Sequence, residues 1–117
     1  MLYYLYMGEH ESNRGGEWGK PEEENGPKPL FGFGQIVGTP GALDALIEAK
    51  QEPVDLLLRH VTGDWGDIDD EDKKENELSV KEGFRILSAY NLENSEKVWV
   101  ITEWDRSVTT ILLPEEY

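Results

Sequence analysis

The last third of the chain constrains the fold most: three short runs rich in β-branched and aromatic residues, separated by turn signals. Phe84, Ile86, Ser88 and Tyr90 alternate with Arg85, Leu87 and Ala89; residues 97–102 read KVWVIT and residues 108–113 read VTTILL. Period-two alternation marks half-buried strands, and dense β-branched runs mark buried ones. The stretches between them, 91–96 and 104–107, are short and turn-like. Strands joined this closely run antiparallel, so the spacing predicts a three-stranded meander. Pro114, which cannot donate to a ladder, ends its last strand.

Two helices precede the meander. Thr39-Pro40 pairs a hydroxyl N-cap with proline at the first helical position, and Leu43, Leu46 and Ile47 follow as an apolar stripe. A second helix begins at Pro53. Its Val54, Leu57, Leu58 and Val61 fall at i, i+3, i+4 and i+7, the spacing of a buried face, and Gly63 ends it. Residues 64–82 hold nine acids and three bases. Asp70 and Lys74 are one helical turn apart, which supports an exposed helix anchored by Ile68, Leu78 and Val80. Phe31 to Gly38 alternates between glycines and reads as a short strand. The expected fold is α+β: two or three helices packed on a C-terminal antiparallel meander, with the apolar start of the chain, residues 1–7, available as an N-terminal strand. Residues 1–30, polar and aperiodic from residue 8, are expected to form a flexible extension, and residues 31–117 a single α+β domain.

Charge narrows the function. With 25 acids against 11 bases, the net charge of −14 repels phosphates and anionic lipid and attracts basic partners. Nucleic acid is therefore not expected to bind directly. A basic patch would have to be assembled by folding from Arg59, Arg85, Lys97 and Arg106. No apolar stretch approaches the roughly 20 residues that span a bilayer, and the apolar start lacks the positive head of a secretion signal. The chain has no cysteine, which excludes disulfides and thiolate metal sites and suits a reducing compartment; a cytoplasmic location is expected.

Three constellations could carry chemistry. The first is Arg59-His60 followed by Gly63-Asp64-Trp65-Gly66: a histidine at a helix end beside a glycine-bracketed Asp-Trp. The plain alternative has His60 half buried, Asp64 capping a turn and Trp65 plugging the core, with both glycines serving backbone geometry. The second is the acidic run Asp67-Ile68-Asp69-Asp70-Glu71-Asp72. A calcium loop starting at Asp67 would need glycine sixth and glutamate twelfth, where Asp72 and Leu78 stand, so a solvated helix face is the expectation. The third is the polar set Arg85, Ser88, Tyr90, Thr102, Arg106, Thr109 and Thr110 on the expected sheet. Cations and hydroxyls on one face can hold a phosphate, and with His60 as general acid or base they would suit metal-independent RNA cleavage. Gly32, Gly34 and Gly38 lack the spacing of a dinucleotide fingerprint and the Gly-Lys-Ser/Thr ending of a P-loop, so no cofactor is expected. The other histidine is His10, in the polar N-terminal stretch, and no metal site is expected.

From about Phe33 to Tyr117, the stretches GQIVGTPGAL, RHVTGDWGDID, Glu75-Asn76-Glu77, RILSAY and KVWVITEWDRSVTTILLPEEY resemble a family of small bacterial plasmid-related proteins, some labelled type I restriction endonuclease subunit M. The resemblance implies an association with mobile elements and carries no activity with it. In layout the chain is also similar to ribonucleases of the barnase, colicin and RelE type, which set N-terminal helices against a C-terminal antiparallel sheet. That likeness would give roles to Arg59-His60, Tyr90 and Thr110.

Two functions follow. In the first, the chain is a non-enzymatic, mobile-element-associated interaction or inhibitor module that binds a basic protein through Asp64, Asp67, Asp69, Asp70 and Asp72. In the second, it is a metal-independent ribonuclease-like enzyme using His60, Arg85, Tyr90, Arg106 and Thr110. The first is preferred because a nuclease must draw in a polyanion.

Overall fold

The computed structural model describes Tyr3–Tyr4 and residues 28–117. The elements are β1 (Tyr3–Tyr4), β2 (Gln35–Gly38), α1 (Pro40–Ala49), α2 (Pro53–Val61), α3 (Asp70–Glu82), β3 (Ile86–Asn91), β4 (Lys97–Thr102) and β5 (Val108–Leu112), followed by a 3-10 turn at Pro114–Glu116. The fold is α+β, with the meander where the residue pattern places it. β3 pairs antiparallel with β4, and β4 with β5. The sheet is nevertheless mixed. Its order is β1-β2-β5-β4-β3, and β2 runs parallel to β5, which puts β5 inside the sheet. β1 pairs antiparallel with β2 at the edge, so the apolar start does supply a short strand. The expected extension over 1–30 otherwise lies outside the described residues up to residue 27.

Register places side chains on two faces. Ile36, Thr109, Thr102 and Ile86 form one row across the sheet, and Gly38, Ile111, Val100 and Ser88 the next. Both rows, with Tyr90 and Val98, face α1 and α2. The apolar core joins Ala42, Ala45 and Leu46 of α1 and Leu56 and Leu57 of α2 to Tyr90, Val98, Val100 and Ile111. Thr110 lies in the row Val37, Thr110, Ile101, Leu87 on the opposite face.

The helix starts follow the local chemistry. Thr39 caps α1 by accepting from the Ala42 amide at 3.1 Å, and its own hydroxyl donates to Glu116 beyond the last strand. Proline opens both α1 and α2. Asp69 caps α3 through the Asp72 amide at 2.8 Å.

The buried faces are rotated from those that apolar spacing suggests. In α2 the inward residues are Leu56, Leu57, His60 and Val61, while Leu58 is 55% exposed. At 3.6 residues per turn, a helix that turns His60 inward carries Leu58 outward. In α1 the inward residues are Ala42, Ala45 and Leu46, and Ile47 is 71% exposed.

α3 attaches by polar contacts. Of the expected anchors, Leu78 is exposed, and Asn76 and Ser79 are buried instead. The Asn76 side-chain amide donates to the Leu87 carbonyl at 2.8 Å and accepts from the Leu87 amide at 3.2 Å, as a neighbouring strand would. Further along the same β3 edge, the Ala89 amide donates to the Trp65 carbonyl at 3.1 Å, and the Asp67 amide donates to the Ala89 carbonyl at 2.6 Å. An otherwise open edge is thereby closed.

That closure depends on Gly66, which sits at φ +79°; a Cβ there would stand 2.0 Å from the Ala89 carbonyl oxygen. Gly66→Ala therefore combines a left-handed alanine with a backbone clash. It is expected to lose about 2 kcal/mol or more of unfolding free energy in urea titration. Gly32→Ala, with nothing within 4 Å, is expected to stay within about 0.5 kcal/mol of the parent. Equal midpoints for the two variants would contradict the edge closure.

Candidate functional site

His60 is fully buried, and both of its ring nitrogens are hydrogen-bonded: Nδ1 to Ser88 Oγ at 2.6 Å and Nε2 to Thr102 Oγ1 at 2.9 Å. Thr102 in turn meets Thr109 at 2.7 Å, and the Thr109 hydroxyl donates to the Phe33 carbonyl at 2.7 Å. The end of this chain sets its direction, because each hydroxyl has one proton. Thr109 gives its proton to Phe33, so Thr102 donates to Thr109. Thr102 must then accept from His60, which places the imidazole proton on Nε2. Nδ1 is left as an acceptor, and Ser88 donates to it. The arrangement holds one neutral tautomer and leaves no buried side-chain polar atom without a partner among the described residues.

Aromatic rings close the remaining sides. Phe31 and Trp65 stack at 6.3 Å, and both stand roughly perpendicular to the imidazole, with centroids at 5.2 and 6.0 Å. Trp65 satisfies its indole N–H on Glu77 of α3 at 3.1 Å. Burial, aided by the Arg106 guanidinium, pushes the imidazole down to about 3. His60 is thus a satisfied core histidine, more deeply buried than the half-buried position expected of it.

Of the other residues weighed for catalysis, Arg106 stands near the imidazole but is turned to main-chain carbonyls, and Arg85, Tyr90 and Thr110 are engaged elsewhere. Arg106 lies in the β4–β5 turn with a positive φ of 60°. Its guanidinium donates to three main-chain carbonyls: Ser79 at 2.8 Å, Phe84 at 2.7 Å and Glu103 at 3.0 Å. It also stands over the Phe31 ring. Arg85 pairs with Glu103 at 3.4 Å and hydrogen-bonds the Tyr117 hydroxyl. Tyr90 donates to the Asp64 carbonyl at 2.7 Å, and burial pushes its phenol up. Thr110 is on the far face of the sheet. Ser88, Thr102 and Thr109 do converge on His60, in the core and away from solvent.

A shallow open pocket of about 440 Å³ lies at the same C-terminal end of α2, on its solvent side, lined by Arg59, Asp64, Gly66, Asp67, Tyr90 and Asn91. Its charges are paired. Arg59 grips Asp64 at 2.7 Å and covers the Tyr90 ring at 4.5 Å. Lys97 meets Asp67 at 3.2 Å, with Asn91 also donating to Asp67. These contacts hold both carboxyls below the usual carboxylate range. The cations from which a basic patch could have been built thus divide into Arg59 with Lys97 here and Arg85 with Arg106 around Glu103.

The acids considered for partner binding also divide. Asp64 and Asp67 are in ion pairs and Asp69 is a helix cap, whereas Asp70 and Asp72 are exposed in the first turn of α3. Acids at a helix start are favoured by the helix dipole as well. Among the described residues no group of three His, Asp or Glu side chains could hold a metal ion, and no helix is long and apolar enough to cross a membrane. No protein-family model, curated protein or solved structure matches the chain.

The buried imidazole makes stability depend on pH. The unfolded chain takes up a proton near pH 6.5, which the folded chain refuses until about pH 3, so stability falls as pH drops through that window. From pH 7 to pH 5 the protein is expected to lose about 2 kcal/mol relative to His60→Gln, read from urea titrations of both. Parallel profiles would refute the buried neutral ring. Long-range proton–nitrogen NMR spectra are expected to show the Nε2-protonated tautomer.

Proposed function

We propose that this chain is a non-catalytic acidic interaction module whose partner is a basic protein, and that its setting is the mobile-element one suggested by the sequence resemblance. The observation that carries this reading is where its arginines and its core imidazole are engaged. Residues 31–117 hold 19 acids and 8 bases. All three of their arginines are tied to carboxylates or main-chain carbonyls, and His60 faces no solvent. Such a surface offers little to a polyanion and much to a cation. The exposed carboxylates of Asp70, Glu71, Asp72 and Glu75 along α3 add to that field.

The ribonuclease alternative requires His60 to reach substrate, and nothing in its hydrogen bonding favours that. The tests separate the two readings. Affinity capture from the native host is expected to retain proteins of net positive charge, released by salt. Asp70→Asn with Glu71→Gln and Asp72→Asn should lower their recovery several-fold while Asp69 still caps α3. Mixed RNA is expected to stay intact with the parent protein. Cleavage that disappears in His60→Gln would replace this reading with the enzymatic one, and a captured set indifferent to the acid substitutions would remove α3 as the contact surface.

A further inference from the structure

Ile47, the most exposed large aliphatic side chain among the described residues, stands at the edge of a groove. The groove, of about 540 Å³, lies where α1 turns into α2. Its apolar lining is Leu43, Leu46, Ile47 and Pro53, of which Leu46 is buried. It is held open by fixed backbone. Lys50 ends α1 in the left-handed region at φ 58°, Pro53 begins α2, and the Gln51 side chain between them is fastened to the Glu93 amide at 2.8 Å. A preformed apolar groove costs little ordering when it is filled.

Its surroundings are acidic. Asp44 and Glu48 occupy the adjacent exposed strip of α1, Glu52 lies on the rim, and Asp55 is exposed in the first turn of α2; Lys50 is the one base beside them. A second copy of the chain would bring the same negative charge to the same place, and charge therefore disfavours it. The complementary occupant has an apolar stripe for the groove and cations for the rim. An amphipathic basic helix meets both requirements, with anchors one turn apart matching Leu43 and Ile47.

We propose that this groove docks an amphipathic basic helix of the partner protein, with its apolar side chains against Leu43, Ile47 and Pro53 and its lysines or arginines towards Asp44, Glu48 and Glu52. The proposal rests on the basic-partner reading above and adds where the partner sits and what shape it presents.

The probe is a synthetic Leu/Lys peptide of about five helical turns with its leucines on one face, compared with a permuted peptide of the same composition without that face. Both are titrated by fluorescence anisotropy at physiological ionic strength. The patterned peptide should bind about tenfold tighter or more, since burying an aliphatic side chain is worth at least one decade of affinity. Ile47→Asp is the deciding variant. It adds a negative charge, which would strengthen purely electrostatic attraction, yet it should weaken the patterned peptide about tenfold. Leu58→Asp adds the same charge at the other exposed leucine-type position of the helix pair and should leave the affinity within about twofold. If Ile47→Asp does not fold by circular dichroism, Ile47→Ser is read in its place.

Equal binding of both peptides, or Ile47→Asp binding as tightly as the parent, overturns the groove and leaves the acidic module standing. No binding of either peptide overturns both. Self-association of the parent that Ile47→Asp abolishes, seen by sedimentation, would give the groove to a second copy and overturn the proposal.

Discussion

An imidazole removed from water has to find both of its hydrogen bonds inside the protein, and the contacts of His60 set how the helices meet the sheet. Its partners lie 28 and 42 residues further along the chain, on β3 and β4, and Thr109 carries the connection on to β5 and the Phe33 carbonyl. One side chain of α2 thus reaches three strands and the segment leading into β2. Apolar packing alone tolerates small slides and rotations, because its contacts are individually weak and non-directional. A closed chain of hydrogen bonds does not. Any shift of α2 that breaks one link strands a buried polar atom, at a cost of roughly 1–3 kcal/mol. The polar chain therefore fixes the rotation of α2, and the aromatic pair Phe31 and Trp65 keeps water from competing for it.

Arg106 does for the outside of the domain what His60 does for the inside. Its three carbonyl acceptors come from the end of α3, the entry to β3 and the exit of β4. A guanidinium suits this position because its donors form a planar fork and its charge is permanent. The two groups are also coupled. A fixed positive charge near a buried imidazole opposes a second one, so the residue that closes the β4–β5 turn also helps to keep the core histidine neutral.

Much of the fold was legible where the signal is local. Thr39-Pro40 and Pro53 mark helix starts through their own backbone chemistry, and the alternation of residues 84–113 needs no distant partner to be read as strands. The glycines around Asp64-Trp65 likewise serve the backbone. Other features depend on residues far away in the chain. Leu58 completes the apolar spacing of α2 as well as any leucine can; only Ser88 and Thr102 explain why His60 takes the inward place. Asn76 and Ser79 look like solvated positions of an acidic helix until β3 brings its unpaired edge to them. The parallel pairing of β2 with β5 is invisible for the same reason, since a single short strand carries no mark of its partner's direction. For the candidate site, Ser88, Thr102 and Thr109 read from the sequence as part of one polar set with His60. The set does assemble, but as core, because hydroxyls that satisfy a ring on both sides leave it nothing to offer a substrate.

These placements have a consequence for the surface. Each core position held by an imidazole or a hydroxyl is one that an aliphatic residue does not fill, and α1 and α2 carry more aliphatic side chains than their inward faces use. Ile47 and Leu58 are the surplus, Ile47 beside Asp44 and Glu48 on α1 and Leu58 beside Arg59 on α2. Apolar groups left in water favour association. Which association follows depends on charge. Between like copies, each carrying −14, repulsion works against contact, whereas towards a cationic chain the apolar and electrostatic terms act together. The rotation that seats His60 in the core leaves Leu58 outside, while Ile47 on α1 is exposed among carboxylates, where the sign of the surrounding charge selects what can cover it.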